Sequence, residues 1–201
     1  MATKNLIVFD HPYGIGASEN EPHNRSLCAA IYKSVRAKLL ARGEEVDVID
    51  LIADGFNPVM SREELVNWRL GQPMSPQVED YQNRMKACNR VIFIFPMYWE
   101  LMPASTKGFI DKVYAKDIMY QSGAGRFGMQ TLVPNMEVAA ITPMASSAVT
   151  YSEMLGEPLV KAMRTAFCIK TEGKGFSWIP IDQAHSRTSE ELSAAIEAIE
   201  L

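Results

Sequence analysis

Along the chain, short apolar runs alternate with longer segments whose apolar positions recur every three or four residues. The runs predict five strands: Asn5 to Asp10, Val46 to Ile49, Val91 to Phe95, Glu137 to Thr142 and Cys168 to Thr171. Val91-Ile-Phe-Ile-Phe95 is unbroken, β-branched and aromatic, as in a parallel strand with helices over both faces of its sheet. Pro96 ends it. Leu27, Ile31, Val35 and Leu39 make one helical stripe, which Asn24 is placed to cap and Gly43 to close. Arg62 to Leu70, Pro76 to Ala87 and Pro158 to Phe167 read as further helices. Pro103 suits the first turn of a helix carrying Phe109, Ile110, Val113 and Tyr114, because its missing N–H is no loss there. Thr188 with Glu191 forms a capping box that opens the last helix. Strand and helix in alternation imply an α/β fold with a five-stranded parallel sheet between two helical layers. The rhythm suits the doubly wound order 2-1-3-4-5.

That order gathers three loops at the carboxyl ends of the strands, where open α/β sheets bind ligands. The first, His11 to Asn24, is long and contains glycine, so its backbone N–H groups can fold around an anion, with Ser18, Asn20 and Asn24 as further donors. Each has a second reading: Asn24 as a helix cap, Ser18 and Asn20 as loop polarity, His11 as the partner of a local hydrogen bond. The second loop, Pro96 to Glu100, offers the flat faces of Tyr98 and Trp99 beside backbone N–H and C=O groups. A planar, electron-rich ligand such as a flavin ring fits it. The alternative is that both rings only cover the sheet end. The third loop, Thr142 to Ser147, follows the fourth strand.

Size and charge narrow the picture. A chain of 201 residues, 47% hydrophobic and 22% charged, suits one domain over residues 1–201 with a sizeable core. A net charge of −4 without a basic run argues against a nucleic-acid partner, which needs clustered Lys and Arg. It leaves room for a single phosphate held on backbone N–H groups. Cys28, Cys88 and Cys168 are far apart and form no C-x-x-C pair, so neither a disulfide framework nor a metal site is expected. They read as small apolar residues of a reducing compartment. With no secretory leader and no apolar run near the ~20 residues that span a bilayer, the expectation is a cytoplasmic protein without membrane insertion. Asp10 suggests a phosphoacceptor domain, but that chemistry needs an Asp where Pro96 stands. Gly123-x-Gly125-x-x-Gly128 neither follows a strand nor opens a helix, so it reads as a mobile loop and not as a dinucleotide fingerprint. The twelve methionines need no cofactor, although Met97, Met102 and Met144 suit an apolar pocket.

Phe95-Pro96-Met97-Tyr98-Trp99, followed by Met102-Pro103-Ala104 and Lys107-Gly108-Phe109-Ile110-Asp111-Lys112-Val113-Tyr114, closely resembles the flavin loop and following helix of the flavodoxin-like NAD(P)H:quinone oxidoreductases. That family includes mammalian and bacterial quinone reductases and the ancillary flavoproteins of potassium efflux systems. The first strand running into His11-Pro12, the Ser18 and Asn20 or Asn24 echo of a Ser-x-Asn phosphate loop, and Phe56-Asn57-Pro58 extend the likeness. The resemblance implies that Pro96, Met97, Tyr98 and Trp99 line the isoalloxazine, with Glu100 where relatives often carry an aromatic or small residue. It places His11 at the ribityl or phosphate region. Relatives commonly have Thr-Thr-Gly-Gly where this chain has Thr142-Pro143-Met144-Ala145, so their backbone contact to the ring's O2 edge lacks its glycines here, with Thr142 and Ser146 as partial stand-ins. Tyr151 lies near a Tyr that the resemblance links to the ring's O4/N5 side as a catalytic residue. Its His partner has no evident match, and a core or surface Tyr is the other reading.

The implied activity is a two-electron, ping-pong reductase that passes a hydride from NAD(P)H through FMN, or alternatively FAD, to a quinone or similar acceptor. The short chain, with no segment for an adenine half, favours FMN. The resemblance also implies a homodimer, with Met119 to Leu132 contributing at the interface. Two other functions use the same fold: a flavin- or nicotinamide-binding regulatory subunit of a cation efflux system, and a flavodoxin-type electron carrier.

Overall fold

The computed structural model describes residues 2–19 and 26–201. Five strands, β1 (Lys4–Phe9), β2 (Glu45–Asp50), β3 (Arg90–Ile94), β6 (Glu137–Pro143) and β7 (Gly175–Ile181), form a parallel sheet of order β2-β1-β3-β6-β7. Two short strands, β4 (Tyr120–Ser122) and β5 (Met129–Thr131), make a separate antiparallel hairpin. With the hairpin set aside, the central order is the expected 2-1-3-4-5.

The unbroken apolar strands supply both faces of the sheet. Leu6, Val8, Val91, Phe93, Phe95, Val138 and Ala140 point to one side. There they meet α3 (Pro76–Ala87), α4 (Ala104–Val113) and α6 (Pro158–Arg164) through Tyr81, Phe109, Val113, Leu159 and Met163. Ile7, Phe9, Ile92, Ile94, Ala139 and Ile141 point to the other side, against α1 (Leu27–Ala41) and α7 (Ser189–Glu197). The period of two in the strands is therefore real, hidden in the sequence because both faces are apolar. The remaining helices, α2 (Arg62–Arg69) and α5 (Ala148–Glu153), are short and carry side-chain caps from Ser61 and Ser147.

Three expectations need correction. Cys168 to Thr171 is not the fifth strand: α6 continues into a π-helical turn, Thr165–Ile169, and the edge strand is β7. Phe167 explains the choice, because the extended helix drops its ring against Phe93 and Tyr114, with centroids 6.0 and 4.7 Å apart. A short apolar run cannot be assigned by periodicity alone. Pro180 within β7 fits an edge position, where one missing N–H leaves no neighbouring strand unpaired. Second, α1 is capped by Ser26, whose side chain accepts from Ala29 N; Asn24 lies outside the described residues. Third, Gly123 to Gly128 is the tip of the β4–β5 hairpin, closed by Gly123 N to Gly128 O at 3.0 Å, with Gly123, Gly125 and Gly128 all at positive φ.

Candidate active site at the carboxyl edge of the sheet

The strand ladder runs past the strand ends at this edge. Asp10 N donates to Ile94 O, Met97 N to Pro143 O and Met144 N to Ile181 O, each at 3.0 Å. These bonds hold the first residues of each loop in register. Between the loops lies a groove of about 340 Å³ lined by His11, Leu27, Cys28, Pro96, Met97, Pro143, Met144 and Ala145, with Ala184, His185 and Leu192 from the β7–α7 side. It straddles β1 and β3, the switch point of the sheet.

The segment after β3 makes an unusual turn. Trp99 and Glu100 both have positive φ, at 49° and 63°. Tyr98 and Leu101 close around them with two backbone bonds of 2.9 and 3.0 Å. This is the pattern of a type I′ turn, which normally takes Asn-Gly because left-handed backbone is strained for residues with a Cβ. Trp99 stands at the tip, 98% exposed. The N–H groups of Trp99 and Glu100 have no hydrogen-bond partner among the described residues.

The turn follows directly on Pro96 and Met97, which line the groove. Burial first, and then Cys28 and Asp10, raise the pKa of the Tyr98 phenol. Glu100 leans toward β6, where its Oε1 accepts from Ser146 Oγ at 2.8 Å. Its Oε2 is shielded from solvent and has no partner among the described residues. The loop after β6 needs no glycine, because none of residues 143–147 has positive φ.

Beneath the loops is a layer of supporting bonds. Asp10 is buried, and its Oδ2 accepts from Ser105 Oγ, Thr106 Oγ1 and Thr106 N at 2.7, 2.7 and 2.9 Å. Pro103, the residue before α4, makes no side-chain cap. Asp10 therefore caps α4 from across the sheet, its charge placed where the helix dipole favours an anion. Asp50 does similar work for the loop after β1, its Oδ2 accepting from Ile15 N at 3.2 Å. On the far side of α4, an added Cβ on Gly108 would meet Pro58 at 2.5 Å. Phe56-Asn57-Pro58 therefore lies directly on the helix. Lys112, 2% exposed, then reaches Asn57 O and Glu64 Oε1, each at 2.8 Å, and lies 5.7 Å from the Phe56 ring centroid. Burial would raise the pKa of Glu64, but its bonds to Lys112 and Ser61 outweigh that and lower it.

The residues anticipated from sequence fall into three groups. His11, Pro96 and Met97 line the groove; Tyr98, Trp99 and Glu100 form the turn that follows Met97, with Ser146 bonded to Glu100, and these four are not among the lining residues. Burial, the largest influence on His11, lowers its pKa against the opposing charge of Asp10. Ser18 belongs to a short 3-10 turn, Ile15–Glu19; Asn20 and Asn24 lie outside the described residues. Thr142 and Tyr151 are fully buried below the groove. Thr142 Oγ1 accepts from Trp178 Nε1 at 2.8 Å, while the Tyr151 hydroxyl accepts from Leu159 N at 2.9 Å and reaches Glu100 O at 3.5 Å. Sequence reasoning missed Asp10 as a cap, and Cys28, Ala184 and His185 as groove wall. Only chain order placed the latter two far from the motif.

The model of the flavodoxin-like fold matches residues 3–198. The chain belongs to that family. An uncharacterized NAD(P)H oxidoreductase of Escherichia coli is 30% identical over 103 residues, 51% of this chain and 53% of that protein. The match thus spans about half of that relative's length. Among solved structures, an NAD(P)H:quinone oxidoreductase from Methanothermobacter marburgensis superposes with a TM-score of 0.75 at 16% identity, covering 98% of this chain and 92% of that one. An FMN-dependent NADH-azoreductase from Bacillus anthracis, in complex with FMN, gives 0.71 at 15% identity, covering 97% and 94%. Identities this low speak for the shared fold alone.

Proposed function

We propose that the protein is a flavin-dependent two-electron reductase that uses NAD(P)H to reduce a quinone or similar flat acceptor by a ping-pong mechanism. The observation that carries this reading is the strained turn at Trp99 and Glu100, set beside the groove at the β1/β3 switch point with its N–H groups unpaired. Strain of this kind persists where surrounding structure enforces it, and it concentrates at binding sites. The donor set suits a flavin: N–H groups for ring heteroatoms, apolar Pro96, Met97 and Met144 for the ring's body, and the loop after β1 for a phosphate. The names of the relatives above agree with this chemistry.

A bound flavin would supply hydride acceptance from NAD(P)H and onward delivery of two electrons, so that quinone, NAD(P)H and a proton yield hydroquinone and NAD(P)⁺. The chain's own part is placement and electrostatics. Asp10 fixes the start of α4 and with it the height of the 96–101 turn. The Trp99 and Glu100 N–H groups would be available to hold a bound ring's polar edge and stabilise negative charge there. Tyr98 and Trp99 would offer stacking surface to it. Tyr151, which we retain as a catalytic candidate, acts in the present geometry on the turn from below through Glu100 O. His11 is neutral near pH 7 and can accept or donate one hydrogen bond at the groove wall. FMN rather than FAD, a homodimer and a cytoplasmic setting belong to the same proposal. Among the described residues no helix is long and apolar enough to cross a membrane, and no cluster of His, Cys, Asp or Glu could hold a metal ion.

The test is direct. Purified protein should be yellow and release FMN on heating. Initial rates with NAD(P)H and a neutral naphthoquinone should give parallel double-reciprocal lines. Colourless protein that also fails to take up added FMN or FAD would refute the proposal.

A further inference from the structure

Two residues at this edge of the sheet carry polar groups that the fold leaves partly unused: Glu100 in the turn after β3 and Ser146 in the β6–α5 loop. The structure joins the two. Glu100 Oε1 and Ser146 Oγ are 2.8 Å apart, so the hydroxyl is committed to fixing the carboxylate. The other oxygen is shielded from solvent without a hydrogen bond among the described residues, and Glu100 forms no ion pair among them. An acceptor left in that state is unfavourable, because it has lost its water without gaining a partner. A ligand that brings positive charge or an N–H donor against the 98–101 turn recovers part of that cost. One and two residues before it in the same turn, Trp99 and Tyr98 are 98% and 48% exposed, and aromatic faces attract flat cations.

We infer that Glu100 is a specificity-determining residue, and that the acceptor it selects is a planar aromatic molecule carrying a positive charge or N–H donors. Acidic or sulfonated acceptors are disfavoured. The inference rests on the reductase reading and names the substrate class of that site. The chemistry balances: a planar cation that takes a hydride from NAD(P)H becomes neutral, and NAD(P)⁺ is the other product. The neutral product then loses its attraction to the carboxylate, which favours its release.

The experiment measures binding before turnover. Equilibrium dialysis of the protein as purified, at low salt, compares a phenothiazinium dye with anthraquinone-2-sulfonate, which are both flat but opposite in charge. The wild type should bind the cation at least tenfold more tightly. Glu100→Gln keeps an acceptor for Ser146 and removes the charge, so the ratio should fall toward one. Equal affinities in the wild type, no binding of either dye, or a preference that survives Glu100→Gln would each overturn the inference. The last result would leave Glu100 only the task of holding the turn. Turnover of a neutral naphthoquinone by the wild type separates the two levels. Reduction of that quinone without charge preference defeats this inference alone. Charge-selective binding without any NAD(P)H-dependent reduction supports Glu100 as the selector and defeats the reductase reading instead.

Discussion

The two ends of the segment from Pro96 to Tyr114 obey opposite rules. At the Lys112 end every strong group is answered. The ammonium is buried, yet it meets a carboxylate, a carbonyl and a ring face, and Gly108 lets Pro58 touch the helix backbone. At the Trp99 end the backbone is left-handed at two residues with side chains, the largest ring faces solvent, and one carboxylate oxygen is unanswered. About ten residues separate a region built for stability from one that holds unspent binding capacity. The difference teaches where to look for function: at the place where a folded chain leaves its own groups unsatisfied.

Breaking the first region should have the largest effect. Lys112→Met removes one partner of a buried ion pair and should lower the unfolding free energy by about 3 kcal/mol, read from the urea midpoint at an unchanged m-value. Next comes the second region. Trp99→Ala with Tyr98→Ala should weaken flavin binding roughly tenfold, about 1.4 kcal/mol, through lost stacking. Because Trp99 is exposed, thermal stability should barely change. A double variant that retains flavin as the wild type does would remove both rings from the site.

Trp99→Gly sharpens the contrast. Glycine adopts positive φ without a Cβ penalty, so relief of strain should raise stability by about 1 kcal/mol while flavin affinity falls. Lower stability would show that the turn is not strained. The smallest effect concerns His11. Its folded pKa lies below the usual value near 6.5, so the unfolded chain binds the proton more readily. The associated stability is present above that value and is lost as pH falls through the folded pKa. His11→Gln should therefore flatten the fall in melting temperature between about pH 7 and pH 5, and an unchanged slope would contradict the burial of its ring.

Much of this was legible beforehand, for identifiable reasons. Strands β1, β3 and β6 announce themselves through unbroken apolar runs and β2 through alternation of apolar and acidic residues, and Pro96 marks the end of β3 because proline cannot continue a central strand. Thr188 caps the last helix as its capping box with Glu191 predicts, whereas the caps at Ser61 and Ser75 came from the structure. The edge strand was hidden, since a half-buried strand interrupted by Pro180 carries a weak signal and the preceding helix overran its pattern with a π turn. Asp10 was read only as a discarded phosphoacceptor. Its partners Ser105 and Thr106 lie far along the chain, and no local pattern reveals a cap delivered from another strand.

Local chemistry was enough to determine the alternation of elements, the positions of the loops and the residue types on them, because apolar periodicity and backbone restrictions act over a few neighbours. Tertiary structure alone decided which of those residues share a groove, that Thr142 and Tyr151 lie beneath it, and that Glu100 pairs with Ser146 while keeping one oxygen free. Those outcomes depend on contacts between segments distant in the chain, whose geometry exists only once the sheet has assembled.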